Sequence, residues 1–345
     1  MKTTAAVLTR INAPLEILEL TVPRLSRGQV LVRVLAAGLC RSQLNEVHGL
    51  KGKDPYIPHL LGHEASGIVE DIGAGVSTVK KGDYVVLSWL KGKGMDVPGG
   101  IFKYKRRKVN AGAVTVFTEY AVVSENRVTK ISKQIPQDIA ALFGCAVATG
   151  AGVVRHTLNV RPGSGIAIFG IGGIGASAIM AARASRAKDI IAIDITPRKL
   201  TWARQLGATV TVNAAKTDAR TAIYKKFPNG VEYAVEAAGL PRVIEQAFQV
   251  LSNHGILAIT GHPKQGSRIN LDPFAFIQGK CVVGTWGGRT IPDKDFPYYA
   301  GQFLRGKLPL GKLITHTFPL TEINEALTLL ESGEAGRIII RIGED

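Results

Sequence analysis

Residues 165–186 read GIAIFGIGGIGASAIMAARASR, and this stretch decides the fold. Its first five residues form a continuous apolar run, with the length and composition of a strand buried on both faces. Gly170, Gly172 and Gly175 then make a G-x-G-x-x-G, with Ile171, Gly173 and Ile174 between them, and an alanine-rich helical pattern follows. The first glycine permits a tight turn, the second lets the backbone approach a pyrophosphate, and the third lets the helix pack closely on the strand. Phosphate is then met by the unpaired N–H groups and the dipole at the helix N-terminus. The next apolar run, DIIAIDI, carries Asp194, 19 residues beyond Gly175, where an acid binds the adenosine ribose hydroxyls of a dinucleotide. A carboxylate there repels a 2′-phosphate, so NAD is expected rather than NADP. Arg198 and Lys199 lie just downstream and soften that exclusion.

Working outward, the same alternation continues. ATVTVN, VEYAVEA and GILAITG read as strands, PRKLTWARQLG and PRVIEQAFQVL as helices, and CVVGTWGG as a last strand and exit. Strands alternating with helices predict a doubly wound, parallel α/β sheet. Before residue 145 the chain has another character: AAVLTR, QVLVRVLAAGL, ASGIVEDIG, DYVVLSW and FTEYAVVSENRVTKI are β-like runs punctuated by glycine and proline. The tail, LTEINEALTLLESGEAGRIIIRIG, reads as a helix and a closing strand that return to this β domain. The expected division is therefore 1–147 with 287–345 for the discontinuous β domain, and 148–286 for the nucleotide-binding domain.

The 345-residue chain is 46% hydrophobic and 20% charged, which suits two domains with a core each. No run reaches the roughly 18 uninterrupted apolar residues of a membrane span, and MKTTAAVLTRINAPLEI lacks a signal-peptide core. A cytoplasmic protein without a membrane partner is expected. Lys plus Arg number 43 against 27 Asp plus Glu, a net charge of +16. These basic residues are mostly spread along the chain and no nucleic-acid-binding motif accompanies them, so nucleic acid is not the expected partner. One dense run, KYKRRK at 103–108, lies in a basic segment from Lys91 to Lys108 that is read as a loop. It is either a solvated surface or a means of attracting an anionic substrate. Three cysteines, Cys40, Cys145 and Cys281, make no disulfide framework.

Within LLGHEASG, residues 60–67, His63 and Glu64 stand side by side among apolar and small residues. Charged groups in such company need partners. Cys40, His63 and Cys145 together offer two soft thiolates and one imidazole, a donor set that suits zinc and leaves a fourth position open. Spacing does not assemble them, because they span 106 positions.

With GLCRSQ, GHEASGIVEDIGAGV, GCAVATGAG, GIGGIG with Asp194, and LITHTFPLTEINEALTLLESGEAGRIII occurring in this order, the chain resembles the zinc-containing, medium-chain alcohol dehydrogenase family from about residue 5 to its end. The resemblance implies a GroES-like β domain plus a Rossmann domain, with the active site in the cleft between them. It implies one catalytic zinc on Cys40, His63 and Cys145, with Glu64 just behind the metal and Ser42 as the hydroxyl that takes the alcohol proton. Thr149 and Ile174 would flank the nicotinamide, Arg41 and Arg337 would hold the pyrophosphate, and Lys199 would reach the adenosine ribose. The implied substrate is a small alcohol or its carbonyl counterpart, with simple alcohols, polyols, cyclitols and sugar-like molecules all open. A homodimer or homotetramer is implied too, with CVVGTW as the candidate edge.

Three departures from the family pattern stand out. Gln43 falls where an aspartate often supports the ligand histidine, and Asn45 where some members carry a relay histidine. Residues 89–113 contain no cysteine, where many members bind a second, structural zinc, so one zinc per chain is expected. Cys281 is expected to be a packed thiol on the last strand of the nucleotide-binding sheet. Two other readings compete: a metal-free NAD(P)H-dependent alkene or imine reductase of the same superfamily, and a non-catalytic NAD- or nucleic-acid-binding protein on the same fold. Cys40 and Cys145 argue against the first. Ser42 and Asp194, kept beside the ligands, argue against the second, because the fold alone does not require them.

Overall fold

The structure, a computed structural model, describes residues 1–343. The chain divides into two compact units. One comprises Met1–Cys145, Ile291–Gly306 and the stretch from Ile314; the other comprises Ala146–Thr290 and Lys307–Leu313.

In the first unit the long strand Gln29–Leu39 is the spine. One edge pairs antiparallel with Glu64–Ile72; the other pairs first with Tyr120–Ser124 and then, from Ala36 on, with Arg337–Arg341. Its alternating Val30, Val32 and Val34 are buried with Leu61, Val69, Val85, Leu87 and Ile338 in the main core of this unit. Alternation of this kind is what a sheet with one face on a core demands. A small closed barrel joins Lys2–Leu8, Glu16–Thr21, Ile101–Tyr104, Arg107–Asn110 and His59–Leu60. Leu20, Leu60, Phe102 and Val109 fill it. The basic segment read as a loop is thus partly a β-hairpin. Phe102 and Val109 point into the barrel, while Lys103, Lys105, Arg106, Arg107 and Lys108 are left in solvent or at its edge.

The second unit holds six parallel strands in the spatial order Val210–Asn213, Asp189–Asp194, Gly165–Phe169, Val231–Glu236, Leu251–Ile259, Cys281–Gly284. The order reverses between Gly165–Phe169 and Val231–Glu236, so the carboxyl ends of these two strands form the switch point where doubly wound folds bind ligands. Gly165–Phe169 is buried along its whole length, which explains its unbroken apolar run. Cys281 departs from expectation. It is exposed, because its strand is the sheet's edge rather than a covered interior position.

No single helix among the described residues is long and apolar enough to cross a membrane.

Candidate functional site

Three segments of the first unit bring the metal-ligating side chains together. Cys40 directly follows the spine strand and takes an extended conformation at the N-cap of the helix Arg41–Val47. His63 precedes the strand Glu64–Ile72, and Cys145 follows the helix Gln137–Phe143. Their ligand atoms all lie within 4.8 Å of one another. Two thiols and an imidazole at that spacing fit a zinc ion. The Cys40 thiol is held well below its usual pKa, chiefly by its hydrogen bond with Cys145 and further by His63 and Arg337, although burial opposes this. A thiolate is the form that binds metal.

Glu64 is enclosed where these segments meet. A Cβ on Gly38 would lie 2.6 Å from its Cδ, and one on Gly144 would lie 2.7 Å from its Cβ. Small residues beside each cysteine therefore let both strands of chain close on the glutamate. Its carboxylate pairs with the guanidinium of Arg337, and both residues are buried. Burial pulls the Arg337 pKa down, and the neighbouring Cys40 sulfur opposes that pull.

Gln43 joins two of the ligand segments. Its Oε1 accepts from the Cys40 N–H (3.1 Å) and its Nε2 lies 2.7 Å from His63 Nδ1. It takes the place expected of a carboxylate with an uncharged amide, fully buried. Ser42 lies in the first turn of the same helix and its Oγ accepts from Lys51 Nζ at 2.7 Å. Arg41 is exposed beside it.

The three motif glycines of the second unit's turn, Gly170, Gly172 and Gly175, are not all there for the same reason. Gly170 has φ +86, and a Cβ there would lie 2.8 Å from Ala238 N. A Cβ on Gly175 would overlap the Gly170 carbonyl. A Cβ on Gly172 would meet nothing within 4 Å. The fold accounts for the first two, and only open space at the N-cap of Gly173–Ala184 accounts for the third. That space suits a dinucleotide's pyrophosphate.

Asp194 accepts from Ile171 N (2.8 Å) through Oδ2 and from Thr196 N (2.9 Å) through Oδ1, tying the turn to the exit of the second strand. Each carboxylate oxygen keeps a lone pair for a ribose hydroxyl. Lys199 is half-buried on the helix Pro197–Leu206. Thr149 is buried, and its Oγ1 has no hydrogen-bond partner among the described residues.

Cys40, Arg41, Ser42, His63, Glu64, Cys145 and Arg337 thus belong to the first unit, and Thr149, Gly170, Gly172, Gly173, Ile174, Gly175, Asp194 and Lys199 to the second. Two residues went unnoticed in the sequence. Lys51 is one. Glu236 is the other: fully buried, it accepts from Ala238 N (2.8 Å) and Gly239 N (2.7 Å), so it shapes the loop on which Gly170 packs. Burial pushes its carboxyl above the usual range. An acid closing the run VEYAVE directly before the small residues of the next loop was the available signal.

Residues 26–133 match the family described as "Alcohol dehydrogenase GroES-like domain", and residues 173–305 the one described as "Zinc-binding dehydrogenase". An S-(hydroxymethyl)glutathione dehydrogenase of Synechocystis sp. is 32% identical over 371 aligned positions, covering 99% of this chain and 100% of that one. A crystal structure from Burkholderia ambifaria, an alcohol dehydrogenase zinc-binding domain protein, superposes with a TM-score of 0.93 at 32% identity, covering 100% of both chains. Benzyl alcohol dehydrogenase from Acinetobacter calcoaceticus gives a TM-score of 0.90 at 29% identity, covering 99% of this chain and 100% of that one.

Proposed function

Because the chain belongs to the zinc-containing medium-chain alcohol dehydrogenase family, we propose that this oxidoreductase moves a hydride between an alcohol and NAD, giving the aldehyde or ketone. The observation that carries the reading is the convergence of Cys40, His63 and Cys145, three segments distant in sequence whose ligand atoms meet within 4.8 Å. Cys40, His63 and Cys145 would hold a zinc ion, which would supply a Lewis acid for the substrate oxygen. NAD supplies the hydride acceptor.

The chain's own groups do the rest. Ser42 hydrogen-bonds the substrate oxygen, donating to it in its alkoxide state, while the proton that the alcohol loses is released to solvent. Glu64 balances the Arg337 guanidinium behind the ligand cysteines, so neither buried charge is left alone. In the second unit the open side of Gly172, with Gly170, Gly173 and Gly175 around it, receives the pyrophosphate. Arg41 and Arg337 contribute positive charge to that anion. Asp194 takes the adenosine ribose with Lys199 beside it, and its carboxylate selects NAD over NADP. Thr149, with its unpartnered hydroxyl, and Ile174 bound the nicotinamide.

One zinc per chain follows from the cysteine-free lobe, which is tied by other means. Glu125 accepts from Ser77 N (2.7 Å), Thr78 N (2.9 Å) and Met95 N (2.8 Å), joining a distant turn to the lobe. A dimer through the edge strand Cys281–Gly284 is supported by exposed apolar neighbours, Ile277 and Trp286 at 79% and 76% exposure. Cys40, Cys145 and Cys281 form no disulfide among the described residues, which suits a reducing cytoplasm.

The test is a panel of benzyl alcohol, S-(hydroxymethyl)glutathione, aliphatic alcohols, polyols, cyclitols and phosphorylated sugars, followed by NADH absorbance with NADP in parallel. The purified enzyme should carry near-unit zinc, and Cys145→Ala should lose metal and activity together. Turnover undiminished after zinc removal would overturn the reading.

A further inference from the structure

We propose that Lys51 is the positioning residue of Ser42, holding that hydroxyl as a hydrogen-bond donor toward the substrate oxygen. The proposal rests on the role given to Ser42 above. Lys51 Nζ donates to Ser42 Oγ at 2.7 Å and to Glu46 Oε1 at 2.6 Å. Ser42 and Glu46 are four residues apart on the helix Arg41–Val47, so they share one face of it a turn apart. Lys51 reaches that face because the chain doubles back after the helix. Gly49 takes φ +64, with its backbone against Ile11, and Leu50 N donates to Asn45 O at 2.8 Å.

An ammonium has donors and no acceptor. Ser42 Oγ must therefore accept from Lys51, and its own hydrogen must point elsewhere. Among the described residues that hydrogen has no acceptor. Glu46 anchors the ammonium from the other side, and the Lys51 side chain is only 32% exposed, so its stem is drawn in rather than free in solvent. A donor fixed in this way stabilises negative charge on the oxygen of the reacting carbon, the state from which hydride leaves and to which it returns. With Asn45 standing where a relay histidine sits in other members, Lys51 is the cation that reaches Ser42.

The experiment is a double-mutant cycle on kcat and KM with NAD. Benzyl alcohol is the probe, or whichever alcohol of the panel the parent enzyme oxidises fastest. Lys51→Met should lower kcat about tenfold, leaving zinc content and NADH affinity (by fluorescence titration) at parental values. Lys51→Arg should recover most of the loss. Combined with Ser42→Ala, Lys51→Met should cost nothing more, because it acts only through that hydroxyl. Parental kcat in Lys51→Met, or losses that multiply in the double variant, overturns the proposal. Parental kcat in Ser42→Ala overturns the underlying role of Ser42 instead, and the two failures are distinct. If Lys51→Met does not fold, Glu46→Gln frees one of the ammonium's two anchors. It should lower kcat in the parent and have no effect in Ser42→Ala, and an equal loss in both backgrounds refutes the idea.

Discussion

Replacing Gly170, Gly172 and Gly175 of the dinucleotide turn one at a time with alanine separates what a ligand demands from what the fold demands. At Gly172 the backbone sits at φ −91, ψ −164, which alanine adopts without strain, and the added Cβ meets nothing within 4 Å. Two small opposing effects act on stability there. Alanine restricts the unfolded chain, worth about 0.4–1 kcal/mol in its favour, and it is a poorer N-cap than glycine by a similar amount. Gly172→Ala should therefore leave stability within about 0.5 kcal/mol of the parent. Its methyl, however, occupies the space a pyrophosphate needs, and NADH affinity should fall at least about tenfold, ~1.4 kcal/mol. At Gly175 the balance reverses. The new Cβ overlaps the Gly170 carbonyl, and overpacking of that kind costs about 1–3 kcal/mol of stability. Gly170→Ala adds strain at φ +86, roughly 1–2 kcal/mol for a residue forced into the left-handed region. Denaturant titration of the three variants, with NADH fluorescence on the same samples, reads both quantities. Parental NADH affinity in Gly172→Ala, or a stability loss there equal to that of Gly175→Ala, would refute the assignment of this turn to a pyrophosphate.

Asp194→Ala should narrow the proposed preference for NAD over NADP in kcat/KM at least about tenfold by removing a repulsive charge, while weakening both cofactors through the lost bond to Ile171 N; an unchanged ratio would remove the carboxylate from cofactor choice. Glu125 titrates below the usual carboxylate range: burial works against this, but the N–H donors of Ser77, Met95 and Thr78 prevail. Its contribution is therefore complete above the unfolded carboxylate value of about 4.3 and is lost as pH falls through the lower folded value. Glu125→Gln should cost about 1–2 kcal/mol at neutral pH, a gap that closes on acidification, and a gap constant with pH would refute this account. Neutralising Arg106, Arg107 and Lys108 together on the barrel hairpin should lower kcat/KM for an anionic substrate at low salt. That deficit should vanish once the Debye length falls below about 10 Å, and no salt-dependent difference would make the hairpin mere surface.

The nucleotide-binding half was legible because its reasons are local. A strand buried on both faces must be apolar throughout, and Gly165–Phe169 is. A turn that packs on Ala238 must lack a side chain, and Gly170 does. The metal centre was not legible in that way. Cys40, His63 and Cys145 come from three segments whose approach depends on Gly38 and Gly144 both lying against Glu64, a long-range packing condition with no periodicity to announce it. Only the resemblance of several motifs in order joined them. The basic segment was misread for a definable reason: its turn places Lys105 at φ +53, where glycine or asparagine would have signalled a hairpin. Cys281 was misjudged although its strand was read as the candidate edge, because an apolar run does not reveal which side chains of an edge strand are left uncovered.

Glu125 shows how the lobe without cysteines is ordered. A structural zinc would draw separate segments together by binding four thiolates; without those cysteines, residues 89–113 must be tied to the rest of the unit by other groups. The compensation is one buried carboxylate that gathers Ser77, Thr78 and Met95, supplemented by Ser124 Oγ accepting from Val97 N at 3.0 Å and donating to Met95 O at 2.9 Å. Arg127 closes the far side by donating to the Trp89 carbonyl. The hairpin within this lobe needs no metal either, because Phe102 and Val109 seat it in the barrel. A lobe held this way should survive chelators that strip zinc from the catalytic ligands. Limited proteolysis after zinc removal should accordingly leave residues 89–113 as resistant as before, and selective cleavage there would mean that a second metal, and not Glu125, holds the lobe.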